Sequence, residues 1–118
     1  MENLTFGETL KKLRESHGYS YRVFGSMVEL TGAYIRDIEI GNKNPPENHL
    51  TKIADVLKLS GETRDNFFDL AAETFKRVPD LSEYVYTNNV AKVALRKARD
   101  KGISDEIWQD FINLIEEK

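Results

Sequence analysis

Only two residues, Glu29 and Leu30, separate a segment that Ser20 can cap from one that Thr31 can cap. Serine and threonine start helices because the side-chain oxygen accepts an N–H that the first turn leaves unpaired. After Ser20, Phe24, Met27 and Val28 supply an inner face at helical spacing. After Thr31, Ile35 and Ile38 do the same, and Gly41 ends the helix. The chain is therefore predicted to hold two short helices joined by a tight turn, the second with one polar outer face. Helix, turn and helix in this arrangement fit the major groove of DNA.

The flanking segments are read the same way. A first helix from Thr5 to Ser16 places Phe6, Leu10 and Leu13 on one stripe and stops at Gly18. Asn44-Pro45-Pro46 forces an extended turn and presets a fourth helix carrying Leu50, Ile53, Ala54 and Leu57. Ser60 can cap a fifth, with Phe67, Phe68, Ala71 and Phe75 on its apolar side. Val78-Pro79-Asp80 marks a boundary, which predicts a domain over 1–78 and an extension over 79–118. The extension reads as a turn-rich helix from Leu81 to Tyr86, one from Asn89 to Lys101 ended by Gly102, and one from Ser104 to Glu117. No alternating strand pattern longer than Tyr84–Thr87 occurs, so the expected class is all-α.

Composition narrows the function classes. At 40% hydrophobic and 31% charged, the 118 residues make a folded chain rather than a disordered one. There is no cysteine, hence no disulfide framework, thiol nucleophile or zinc knuckle. No apolar run is long enough for a membrane span, and the N-terminus has no secretory pattern, so a cytoplasmic location is expected. The net charge of −3 weighs against a broadly basic nucleic-acid module and requires any DNA contact to come from a local strip. His17 and His49 lack ligand-like neighbours and read as satisfied surface histidines. With no phosphate loop and no metal motif, no enzyme, metal or cofactor is expected.

The stretch "YSYRVFGSMVELTGAYIRDIEIGNKNPP" resembles the Cro/C1-type (XRE) helix-turn-helix family. The shared features are Ser20, Gly25 at a close helix crossing, Leu30 after the turn, Tyr34-Ile35, Ile38-Glu39, Gly41 and Asn44-Pro45. "LKKLRE" in the first helix adds to them. The resemblance implies a five-helix lambda-repressor-like domain, followed here by a C-terminal helical extension. It also implies a structural ion pair between Arg14 and Glu39, and a recognition helix over Thr31–Ile40 reading double-stranded DNA as a dimer. Regulators of this kind are used by phages and mobile elements.

Departures from the pattern fall where bases would be read. The family's base-contacting positions map to Gly32, Ala33 and Asp37, which offer nothing, a methyl group and a carboxylate. Alanine can meet a thymine methyl, and aspartate can accept from a cytosine amino group. Arg36 is the one side chain suited to a bidentate guanine contact. Around it, Tyr21, Arg22, Thr31, Asn42, Lys43 and Asn44 are candidate phosphate contacts, helped by the N-termini of the second and fourth helices. Glu29 stands where glycine is common, at a cost on the order of 1 kcal/mol if the backbone there is left-handed.

Phe67, Phe68 and Phe75, with Trp108, Phe111 and Ile115, are candidate dimer or partner contacts. Lys92, Arg96, Lys97, Arg99 and Lys101 form the densest positive cluster, read mainly as a solvated helix face. Two functions remain open. One is a dimeric, sequence-specific DNA-binding transcriptional regulator, a repressor in most such cases. The other is a protein-binding module or antitoxin that uses the helix-turn-helix as scaffold and meets its partner through the C-terminal helices.

Overall fold

Thr5 begins the first helix with a reciprocal cap. Its hydroxyl accepts the Glu8 N–H at 3.1 Å, and the Glu8 carboxylate accepts the Thr5 N–H at 3.0 Å. The bond from the Thr5 N–H, and then the nearby Thr5 hydroxyl, hold the Glu8 carboxyl below its ordinary value of 4.5. The computed structural model describes residues 3–118, and among them it holds eight α-helices, one 3-10 turn and no strand. They are α1 (Phe6–Ser16), α2 (Tyr21–Met27), α3 (Gly32–Glu39), the 3-10 turn (Glu47–His49), α4 (Leu50–Val56), α5 (Gly61–Phe75), α6 (Ser82–Thr87), α7 (Asn89–Lys101) and α8 (Asp105–Glu116). The fold is all-α, as expected. It divides into two units, one ending at Asp80 and one spanning Leu81–Lys118.

In the first unit, Leu10, Phe24, Val28, Ile35, Ile38, Leu50, Ile53 and Phe67 are buried in one core drawn from α1 to α5. Phe67 lies 5.0 Å from the Phe6 ring and edge-on to Phe68 at 5.3 Å. This corrects the reading of Phe67 and Phe68 as dimer contacts: both fill the core of their own chain and present no surface to a partner. Phe75, half-buried, packs against the same core. Met27, expected to point inward, is exposed, since Phe24 and Val28 already fill the inner arc of α2.

Two glycines set how closely the helices approach. A Cβ on Gly7 would stand 2.5 Å from the Ile38 carbonyl oxygen and 2.6 Å from that of Glu39. One on Gly25 would stand 2.6 Å from the Leu30 carbonyl oxygen. The Gly25 crossing was legible from the family pattern, whereas Gly7 was not singled out. Beside Gly7, α1 is tied to the end of α3 by the buried ion pair expected between Arg14 and Glu39. Arg14 Nε donates to Glu39 Oε2 at 2.6 Å, and its terminal nitrogens donate to Glu39 Oε1 at 3.0 Å and to the Tyr19 carbonyl at 2.8 Å. Hydrogen bonding to Glu39 raises the Arg14 pKa further, against the opposing effect of burial.

Other local readings change in detail. Pro46 precedes a 3-10 turn rather than opening α4, and α4 has no side-chain cap. Ser60 stands at the start of α5, but its hydroxyl makes no capping bond. The histidines are half-buried ties rather than surface groups. His17 Nε2 donates to the Leu57 carbonyl and His49 Nδ1 to the Val28 carbonyl, each at 2.9 Å. Each neutralises a carbonyl left over at a helix end.

The second unit holds α6, α7 and α8. The Asn88 side chain caps α7, Gly102 ends it in a left-handed conformation, and the Ser104 hydroxyl caps α8. None of the residues of this unit is buried. Trp108, Phe111 and Ile115 are exposed on α8, along with Ile107, Ile112 and Leu114.

Two outcomes follow for the first unit. Gly7→Ala is expected to cost about 2 kcal/mol, because the clashing atoms are backbone and cannot rotate away. Urea denaturation would read this as a lower midpoint at unchanged slope. Arg14→Met strands the Glu39 carboxylate in the core and is expected to cost about 3–5 kcal/mol, while adding Glu39→Leu recovers much of that loss.

Candidate nucleic-acid interface

The turn between α2 and α3 is the origin of the site's geometry. Glu29 adopts the left-handed conformation, φ 63°, that the sequence comparison raised as a cost. The strain is held by two ties to the segment after α3. Lys52 Nζ donates to Glu29 Oε1 at 2.6 Å, and His49 binds the neighbouring Val28 carbonyl. The hydrogen bond from Lys52, and then its charge, lower the Glu29 pKa from 4.5. Lys52 was not singled out in the sequence and His49 was read only as a surface histidine, because both lie more than twenty residues from the groups they bind and no periodicity links them.

Thr31 then caps α3, its hydroxyl accepting the Tyr34 N–H at 3.0 Å. Ile35, Ile38 and Glu39 face the core, which leaves Ala33, Arg36 and Ile40 exposed on the outer side at the i, i+3, i+7 spacing of one stripe. Arg36 and Arg22 are exposed, and among the described residues neither has an acidic partner.

Gly32 is corrected. A Cβ here would stand 3.1 Å from the Arg22 nitrogen and 3.2 Å from the Tyr21 carbonyl carbon. The position therefore points at the backbone of α2 and not outward toward a base. Glycine lets the starts of α2 and α3 close on each other, which brings Arg22 near the exposed start of the outer stripe. Tyr21 is also engaged: its ring lies 4.2 Å from the Arg14 guanidinium. The Ser20 hydroxyl takes the Val23 N–H, so one of the free donors expected at the start of α2 is already satisfied.

The loop after α3 is fixed from two sides. The Asp37 backbone carbonyl accepts the N–H groups of Asn42 and Lys43 at 2.9 and 3.2 Å. The Tyr34 hydroxyl donates to the Asn44 carbonyl at 3.3 Å, and Lys43 Nζ lies 5.0 Å from the Tyr34 ring. Asn42, Lys43 and Asn44 are all exposed. Tyr34, which the sequence offered only as a family feature, therefore positions Lys43 and Asn44 next to the end of α3. Asp37 is half-buried, and its backbone carbonyl holds the start of the loop.

Arg22, Thr31, Ala33, Arg36, Asn42, Lys43 and Asn44 all belong to the α2–α3 segment or its following loop and are exposed. Such a surface can donate to phosphates from Arg22 and Lys43, and it offers one guanidinium between two apolar side chains. Trp108, Phe111 and Ile115 belong to the other unit. Among the described residues no cluster of acidic, histidine or cysteine side chains could hold a metal, and no helix is long and apolar enough to cross a membrane.

No curated protein matches the chain. A solved chain from the SinR protein/SinI protein complex aligns with it at 21% identity and a TM-score of 0.49, covering 95% of each chain. A family model described as a helix-turn-helix domain matches residues 5–67, from the cap of α1 to the first core phenylalanine of α5. That span is more than half of the sequence and contains every element that shapes the surface around Arg36. In agreement with the Cro/C1-type resemblance of its sequence, the chain belongs to the helix-turn-helix domain family.

Proposed function

We propose that this protein is a sequence-specific, double-stranded-DNA-binding transcriptional regulator, a repressor, that acts as a dimer. The Thr31–Ile40 segment lies in the major groove, residues 1–78 bind DNA, and residues 79–118 dimerise. The observation that carries this reading is Arg36: an exposed guanidinium with no acidic partner among the described residues, on the outer stripe of α3 between Ala33 and Ile40.

In this arrangement Arg36 donates two parallel hydrogen bonds to a guanine, and Ala33 and Ile40 meet thymine methyl groups on either side. Arg22, Lys43 and the Asn42 and Asn44 amides hold phosphates and fix the register without reading sequence. One arginine and two apolar contacts per half-site make a small direct code. Specificity then depends on half-site spacing in the dimer and on the shape of the intervening DNA. Few cations face each half-site, so few counterions are released on binding, and affinity falls with salt only in proportion to that small number.

The second reading, a module that binds a protein partner, is favoured by a separate observation. The apolar faces of α7 and α8 are exposed, and a surface of that kind is covered in use. The two readings share the C-terminal surface and differ over the outer stripe of α3.

Selection of binding sites from a random DNA pool tests the proposal. A palindrome is expected to be enriched, and Arg36→Ala is expected to lower affinity for it by about 1–3 kcal/mol while relaxing preference at one base pair of each half-site. Lys43→Ala is expected to weaken binding evenly across sequences and to reduce the salt slope by about 1 per half-site. No enrichment at low salt, with the protein above its dimerisation concentration, would overturn the DNA reading and leave the protein-partner one.

A further inference from the structure

The second unit has an uneven charge pattern that its fold leaves uncompensated. α7 carries Lys92, Arg96, Lys97, Arg99 and Lys101 against one acid, Asp100, whereas α8 carries Asp105, Glu106, Asp110 and Glu116 with no base. Among the described residues no ion pair joins the two helices; Arg99 pairs only with its neighbour Asp100, at 3.0 Å. The helices meet at the Gly102 turn around an open apolar cleft of about 260 Å³, with Leu95 and Ala98 on one wall and Trp108 and Phe111 on the other. Lys92, Arg96 and Arg99 line one edge of α7's apolar face at i, i+4, i+7, and Glu106 and Asp110 line one edge of α8's at i, i+4.

Given a dimer as proposed above, we infer that the occupant of this cleft is the second unit of another copy, and that charge selects how the two hairpins pair. Four helices around one core can be arranged in two ways. Either α7 lies beside α8 of the partner, with like helices diagonal, or α7 lies beside α7. The second arrangement places basic rows against basic rows and acidic against acidic, and like charges at close quarters disfavour it. The first alternates positive and negative around the bundle, so rows that form no ion pair between α7 and α8 of one chain face an opposite row in its copy. The basic cluster is then a pairing device at the rim of a dimer, and the net excess of acid on α8 is its complement.

Sedimentation of the full chain at low salt tests this with three variants whose helicity is checked by circular dichroism. Arg96→Glu with Arg99→Glu is expected to raise the dimer dissociation constant about tenfold, and so is Glu106→Lys with Asp110→Lys. The chain carrying all four substitutions is expected to return to the wild-type value. Mixed with wild type, the α7-reversed chain is expected to form mixed dimers no tighter than wild-type ones. Mixed dimers tighter than either parent would place α7 beside α7 and overturn the inference. Reversals without effect, or a four-site chain that stays weak, would also overturn it while leaving the dimer intact. A wild-type chain that is monomeric at every accessible concentration would overturn the dimer reading itself.

Discussion

The Arg14–Glu39 pair is the interaction on which the first unit depends. A charged pair in a core gains stability only when each partner's hydrogen-bonding groups are satisfied, since both charges have left water. Here the guanidinium meets both carboxylate oxygens and the Tyr19 carbonyl, and Tyr21 covers its face. One side chain thereby joins α1, the α1–α2 connection, the start of α2 and the end of α3. Between the same two helices, Gly7 leaves room for the carbonyls of Ile38 and Glu39, at distances that a Cβ would block.

From that junction the outer surface of α3 follows. With Ile35, Ile38 and Glu39 directed inward, a helix of eight residues has only one stripe left to expose, and Ala33 and Arg36 occupy it, with Ile40 continuing it at the C-cap. The Glu29 turn sets where that stripe begins. Its left-handed backbone is unfavourable for glutamate, and the turn is tied by Lys52 and His49, two groups from the segment that follows the loop. Strain at the turn and order in the following segment are therefore coupled through side chains.

Much of this fold was legible in the sequence. Ser20 and Thr31, expected as caps, bond as caps, Ser60 holds its N-cap position without the bond, and the apolar stripes of α1 to α5 converge on one core. These are local signals, set by 3.6-residue periodicity and by the chemistry of one side chain near its own backbone. Readings that needed knowledge of a distant neighbour fared differently. Phe67 and Phe68 looked like surplus aromatic surface because an apolar stripe does not say whether its cover comes from its own chain or from another. Gly32 looked like a reader without a side chain because a glycine does not announce which backbone it must admit.

What the sequence by itself determined, then, is the set of helices, their ends, and the inner face of each, because those depend on residues within a turn or two of one another. The tertiary structure decided which glycines are contact points, which histidines are ties, and which aromatic groups are already covered. It also decided that Tyr34, and not a loop residue, positions Lys43 and Asn44. These outcomes depend on pairs separated by ten to forty residues, and such pairs are specified only when the whole core closes and fixes their distance.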